Sequence, residues 1–516
     1  MSEHVDVLIV GAGLSGIGAA HHLQAAFPRR RYVILEARDA IGGTWDLFRY
    51  PGVRSDSDMQ TLGYRFRPWT AAKAIADGPS ILRYVRDTAT EAGIDSRVRY
   101  GHRVTRAAWS SADARWTVEA THGAETVTLT CSFLLVCSGY YRYDHGYRPP
   151  FPGIENFRGQ VIHPQQWPDD LDYRGKRVVV IGSGATAVTL VPAMAETAGH
   201  VTMLQRSPTY IISLPTEDPI DARLRKLVGA RRAYPLTRWK NVLVTTLIYQ
   251  LSQRRPQMMR NWIRGMTIRQ LPAGYDVDTH FKPVYGPWDQ RLCLVPDGDL
   301  FRAIREQRAS VATGRIATFT EHGVRLESGD ELDADIVVTA TGLQLLALGG
   351  IQLAVDGQDV SLPETMAYKG MMLSGVPNFA FTVGYTNASW TLKADLVSEY
   401  VCRLLRFMDT RGYDQCVPVN DDPRVTRQPL MDFAAGYVLR SINDFPKAGS
   451  RAPWRLGMSY LNDVVKLRHG RIEDGAMRFS RRAEAAGPGL GADGLTETAP
   501  PAWPAGRLLT RLTSAQ

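Results

Sequence analysis

Val5-Asp6-Val7-Leu8-Ile9-Val10-Gly11-Ala12-Gly13-Leu14-Ser15-Gly16 opens the 516-residue chain as an apolar run that ends in G-x-G-x-x-G. A helical pattern follows, and a second apolar run, Tyr32–Leu35, ends in Glu36, twenty residues after Gly16. A lone glycine triplet marks many tight turns, but this one has the strand before it, the helix after it and the acid at the end of the next strand, which is the layout of a dinucleotide-binding unit. Gly11 permits the tight turn, Gly13 lets the backbone approach a pyrophosphate, and Gly16 lets the helix pack close. Ser15 lies in the same turn. The helix N-terminus presents unpaired N–H groups and a partial positive charge to an anion. Glu36 is suited to accept hydrogen bonds from ribose hydroxyls and to repel a 2′-phosphate, so the site favours FAD or NAD over NADP.

The unit recurs. Val178–Ile181 runs into Gly182-Ser183-Gly184-Ala185-Thr186-Ala187, with alanine as an accepted third small residue. At the end of the following strand the chain reads Gln205-Arg206-Ser207. An arginine there can pair bidentately with a 2′-phosphate, and no carboxylate repels it, so this second site favours NADPH. The expected fold is α/β, with two dinucleotide-binding Rossmann-like domains and a helical insert. Residues 98–131 alternate as an antiparallel meander, with Arg115–Ala120 and Thr126–Cys131 as strands and Phe133–Cys137 as a separate apolar strand. The Pro-rich stretch 148–153 reads as a linker. The expected division is 1–145 and 368–481 for the FAD domain, 146–212 and 291–367 for the NADPH domain, 213–290 for the insert, and a poorly ordered tail over 482–516.

Composition sets bounds. Hydrophobic residues at 44% and charged residues at 22% are ordinary for a globular protein. No run reaches the length a membrane span needs, and the N-terminus enters a strand pattern at once without room for a secretory signal. Cys131, Cys137, Cys293, Cys402 and Cys416 are scattered with no C-x-x-C, which argues for a reducing, cytoplasmic setting and against a zinc site or disulfide framework. The net charge of +9 is uneven: residues 221–270 hold twelve Lys and Arg against Asp221 alone, so the remainder is slightly acidic. No nucleic-acid partner is expected. Val242–Leu251 is largely apolar between arginine clusters, a pattern compatible with a helix lying on the inner face of an anionic cell membrane. The competing reading is a solvated helical cap with one core-facing stripe.

Two longer patterns point to a family. Residues 42–56, Gly-Gly-Thr-Trp-Asp-Leu-Phe-Arg-Tyr-Pro-Gly-Val-Arg-Ser-Asp, fill [AG]-G-x-W-x-x-x-x-[FY]-P-[GM]-x-x-x-D. Residues 157–168, Phe-Arg-Gly-Gln-Val-Ile-His-Pro-Gln-Gln-Trp-Pro, fill F-x-G-x-x-x-H-x-x-x-W-P between the two glycine turns. Together they resemble the fingerprints of type I Baeyer–Villiger flavin monooxygenases. Arg49–Tyr64, Gly182–Ala193, Pro287–Phe301, Met366–Asn378 and Val383–Leu405 resemble one subgroup, the mycobacterial FAD-containing monooxygenases that activate ethionamide.

The resemblance, which covers about residues 1–480, implies FAD and NADPH as cofactors and dioxygen as co-substrate. It implies conversion of apolar ketones to esters or lactones through a flavin C4a-peroxide, with sulfoxidation of thioamides or sulfides as a further activity. The alternative is a flavin monooxygenase whose physiological reaction is S- or N-oxygenation. Arg291 is implied as the cation beside the negatively charged adduct, with Asp56 as the carboxylate that holds it. Thr44, Trp45, Asp46, Arg54, Ser55, Asp56 and Val104 are implied as FAD contacts. Gln290 departs from the family, many members of which carry a lysine there that helps hold NADP. His163 titrates near neutrality, but its place in the linker suits a hydrogen-bonding role in domain movement better than acid–base catalysis. Val383–Asn387 and Trp390 are expected to line the flavin and substrate pocket.

Overall fold

The computed structural model describes residues 3–290, 292–431 and 433–482. The first unit is built as its opening residues dictate. β1 (Glu3–Val10) and β2 (Tyr32–Leu35) pair in parallel on either side of the crossover helix α1 (Leu14–Ala26). The last four residues of β1 and all of β2 are buried, as expected of strands covered on both faces. Single turns α2 (Thr44–Leu47) and α3 (Met59–Leu62) lead to α4 (Gly78–Glu91). Asp77 caps α4 by accepting from Ser80 N at 2.8 Å, with Pro79 in the first turn.

β3 (Val98–Arg99) edges this sheet, and the meander follows as β4 (His102–Ser110), β5 (Arg115–His122) and β6 (Glu125–Val136). Here the structure departs from the two strands expected over 126–137. β6 is one 12-residue strand that changes partner along its length. Its first half lies antiparallel to β5, and its second half lies between β1 and Phe379–Phe381, parallel to both. The shift from alternating to continuous apolar residues marks that change of surroundings, from one wet face to two buried faces.

In the second unit, β7 (Gln160–Ile162) carries the linker pattern. β8 (Arg177–Ile181), α5 (Ala185–Met194) and β9 (His200–Gln205) repeat the strand–turn–helix–strand unit. The insert is closed at its base by two parallel strands, β10 (Ile211–Leu214) and β11 (Cys293–Pro296), and holds α6 (Pro219–Val228), α7 (Ala230–Arg254), α8 (Pro256–Gln270) and α9 (Val277–Phe281). Gly229, at φ +77, separates α6 from α7, and Pro256 stops α7 and starts α8. α7 is anchored by Arg238, which is buried and donates to the carbonyls of Gln60 and Gly63, each at 2.7 Å.

α10 (Asp299–Arg305) and β12 (Ala309–Thr313) complete the second unit with Ile336–Thr339. Its five-stranded sheet has the order β12, β9, β8, Ile336–Thr339, β7, and every pair is parallel. The chain then rejoins the first unit sooner than the expected boundary at 367: Gln352–Val355 already pairs with β4 in the nine-stranded first sheet. α11 (Trp390–Arg411) packs against α1. The tail expected over 482–516 lies, from Ala483 onward, outside the described residues. Among the described residues no helix is long and apolar enough to cross a membrane.

Candidate functional site

The first glycine turn is tightly enclosed. Gly11 has φ +98, and a Cβ there would lie 2.7 Å from the Cys137 carbonyl oxygen. A Cβ on Gly16 would come within 1.8 Å of the Gly11 carbonyl, so only glycine lets α1 start this close to its strand. Gly13 instead faces the Gly43 backbone across a gap, its virtual Cβ 3.5 Å from Gly43 Cα. No side chain caps α1 and no acid sits in its first turn, so its free N–H groups are available to a pyrophosphate. Glu36 is buried, and its two oxygens accept from Ala12 N at 2.7 Å and Arg38 N at 2.9 Å. Burial pushes its pKa up, against those two N–H bonds and the Arg38 charge.

The second turn has the same backbone and a more open setting. Gly182 is at φ +136, with its virtual Cβ 2.4 Å from the Ala340 carbonyl, and α5 again starts without a side-chain cap or an acid. A Cβ on Gly184, however, would meet no atom within 4 Å. The Ser183 hydroxyl lies 2.7 Å from the Thr209 hydroxyl. Arg206 and Ser207 are exposed just past β9, and Arg206 forms no ion pair among the described residues.

Both turns open on one cavity of about 1010 Å³. Tyr50–Asp58 forms part of its wall and also joins the units. A Cβ on Gly52 would lie 2.7 Å from Ala193 Cβ on α5, and Tyr50 is packed beside Thr186. Arg54 bridges to Asp299 at the start of α10. On the opposite wall Trp390 donates to Ser15 Oγ at 2.7 Å and stacks on Tyr140, with ring centroids 5.0 Å apart. Gly384 is what admits that indole, since a Cβ there would fall 2.5 Å from it. From the insert come Thr245, Tyr249, Gln250 and Trp262. Trp288 completes the wall in a left-handed conformation (φ +73), its buried indole N–H without a partner among the described residues. Such backbone strain in a bulky residue concentrates at functional sites. Burial pushes the Tyr143 hydroxyl up to about 12, so it stays neutral beside the Thr44 hydroxyl, 3.1 Å away.

The linker pattern lies where the chain crosses between the two units. The two chain segments that connect the units run side by side: Tyr147 N donates to Gly342 O at 3.0 Å and Arg142 N to Gln344 O at 2.8 Å. Buried His163 accepts from Gln165 N at its Nδ1 (3.2 Å), which leaves Nε2 to donate to Gly342 O (3.3 Å). Gln165 in turn donates to the carbonyls of Arg142 and Tyr143. Gly146 sits flat against the imidazole, where no Cβ would fit.

A family model described as flavin-binding monooxygenase-like matches residues 78–347, and one described as an NAD(P)-binding Rossmann-like domain matches residues 9–76. The FAD-containing monooxygenase EthA of Mycobacterium tuberculosis is 58% identical over 93% of this chain and 99% of its own length. The chain belongs to the flavin-binding monooxygenase-like family. EthA of Mycolicibacterium smegmatis is 55% identical over 94% of this chain and 99% of its own. Among solved structures, a steroid monooxygenase bound to NADP has the same fold, with a TM-score of 0.73 at 20% identity, over 93% of this chain and all of that one.

In this flavin monooxygenase the cavity brings together Gly11, Gly13, Ser15, Glu36, Thr44, Trp45, Arg54, Ser55, Asp56 and Val104 with Ser183, Gly184, Ala185 and Thr186. Gly16, Gly182 and Ala187 stand behind it, shaping the turns. Asp46 does not reach it: its buried carboxylate is held by Arg38 at 2.5 Å and Arg86 at 2.9 Å. Arg206 and Ser207 lie outside the lining. Arg291 lies outside the described residues, as does its expected pairing with Asp56; Gln290 and Leu292 on either side of it line the cavity. Sequence reasoning did not single out Tyr140, Tyr143, Tyr249 or Trp288, which come from loops and the insert. The positive φ of a tryptophan has no counterpart in composition or spacing.

Proposed function

We propose that this flavin monooxygenase uses NADPH and dioxygen to convert apolar ketones to esters or lactones in the cavity between its two glycine turns. The observation that carries the reading is that two uncapped helix N-termini, one beside a buried carboxylate and one below an exposed arginine, open on a single cavity. FAD is assigned to Gly11, Gly13, Ser15, Gly16 and Glu36, with Gly43–Trp45 and Ser55–Asp56 beside it. NADPH is assigned to Gly182–Ala187, with Arg206 and Ser207 toward its 2′-phosphate. When bound, the pair supplies hydride transfer to a flavin and activation of dioxygen.

The chain's own part is binding, orientation and exclusion of water. Tyr140, Trp390, Trp288 and Tyr249 give the cavity aromatic walls, and a site emptied of water strengthens any charge interaction within it. A carbonyl attacked in such a site becomes an oxyanion, which a fixed guanidinium stabilises without giving up its proton. Arg291 is assigned that task and Asp56 the task of orienting it. The five cysteines are buried and form no disulfide among the described residues, and burial pushes Cys137, the one at the cavity wall, up to about 12, far from a reactive thiolate. That setting does not suit a disulfide reductase.

Gas chromatography of products from linear, cyclic and aromatic ketones and one thioamide, with NADPH, tests the reading. Esters or lactones are expected, and Arg291→Ala should abolish them while NADPH still reduces the flavin. Oxygenation confined to the thioamide, and indifferent to Arg291→Ala, would replace this reading with sulfur oxygenation.

A further inference from the structure

We propose that the outer face of the helical insert docks on an anionic lipid bilayer, with the cavity opening toward it. Thirteen of the fifteen exposed large hydrophobic residues among the described residues lie between Leu214 and Val284. Single exposed apolar side chains are normal on any protein; their concentration on one element is not. α7 shows the pattern most plainly. Its inner face buries Tyr234, Arg238 and Val242, and its outer face presents Leu236, Trp239, Leu243 and Leu247 at 54, 44, 54 and 58% exposure. Those four are spaced three, four and four residues apart, one straight stripe along the helix. The adjoining helices add Ile220 and Leu227 on α6 and Met258 and Trp262 on α8.

The charge on these helices selects the occupant. Arg238, Arg225, Lys240 and Arg264 are each paired with a carboxylate. Arg223, Lys226, Arg231, Arg232, Arg254 and Arg255 are exposed and form no ion pair among the described residues. Apolar residues fringed by unneutralised arginines are what an interfacial helix needs on anionic headgroups. A two-fold contact with a second copy would set these basic rows against themselves, since Asp221, the one acid on α6, α7 and α8, is buried and already paired with Arg225. The cavity reaches this face: Trp262 and Leu214, both more than 40% exposed, also line it. An apolar substrate partitioned into lipid would then enter beside α8 without crossing water. The docking holds whichever oxygenation the site performs.

Flotation of the full-length, FAD-loaded protein with vesicles of phosphatidylglycerol and phosphatidylcholine tests it, against vesicles of phosphatidylcholine alone. Binding is expected only to the anionic vesicles and should weaken as salt rises. Arg231→Gln with Arg232→Gln should weaken it roughly 25-fold, at about fivefold per basic side chain near such a surface. Leu243→Glu with Leu247→Glu should abolish it, while turnover of a water-soluble substrate, read in the same preparation, stays unchanged and reports an intact fold. Equal binding to both vesicle types, or none to either, would overturn the proposal. So would a concentration-dependent dimer dissolved by the same Leu→Glu changes, since a second copy would then be what covers this face.

Discussion

At the first glycine turn every surface is close. The Gly16 position touches the Gly11 carbonyl, Gly13 faces the Gly43 backbone, and Glu36 is only 6% exposed. At the second turn Gly184 looks onto open space and Arg206 stands exposed, although the backbone path, the uncapped helix and the missing first-turn acid are the same. One device is thus used at two depths. The closed turn has no space for an added side chain at its third glycine, whereas the open turn has space at its second.

The largest effect should come from filling the closed turn. In Gly16→Ala the new methyl meets backbone rather than a movable side chain, so the strand–helix junction has to shift. Overpacking of this kind costs about 3 kcal/mol or more. Flavin absorbance per chain after purification should fall sharply. Gly184→Ala, at φ −79 with nothing nearby, should stay within about 0.5 kcal/mol of wild type and keep its flavin, changing only KM for NADPH. If the two variants retained flavin equally, the contrast in depth would have no functional meaning.

Next in size is the choice of nicotinamide. Arg206→Gln removes a charge-assisted contact of about 1.5–3 kcal/mol, so kcat/KM for NADPH should drop roughly ten- to a hundredfold. The value for NADH should hardly change. A parallel fall for both coenzymes would mean that Arg206 supports the fold and does not read the phosphate.

How much of this was legible in the chain depends on range. The two turns, Glu36 and the linker pattern are local features, because each is a short run whose backbone demands particular residues, and they were readable directly. The unity of β6 was not, since Ser132 lies between two runs of different periodicity and only the sheet shows that one strand serves both surroundings. The early return of the chain at Gln352 was hidden for a similar reason: a four-residue strand does not announce its partner. Asp46 sits inside a family pattern and reads as a cofactor contact, yet two arginines claim it. On α7, spacing reveals that Leu236, Trp239, Leu243 and Leu247 share a face, but a stripe that faces solvent has the same period as one that faces a core.

The smallest expected effect lies at the clasp between the two turns. Gln165 N–H donates to His163 Nδ1, so the neutral ring with its proton on Nε2 satisfies both neighbours, while a protonated ring would set two N–H groups against each other. Burial accordingly lowers the His163 pKa below its ordinary 6.5, with the Gly342 carbonyl pulling weakly the other way. The folded protein therefore binds this proton less tightly than the unfolded chain does. The contribution of the clasp to stability is complete above 6.5 and is lost as pH falls below that value toward the lower, folded pKa. His163→Gln keeps an acceptor and a donor but cannot titrate. Melting temperatures measured from about pH 8 down to 5.5 should decline less steeply on the acid side for the variant than for the wild type. Other histidines contribute equally to both proteins, so the difference between the curves isolates this one ring. Identical acid limbs would mean that the crossing segments are held by their backbone bonds alone, with no proton-sensitive part.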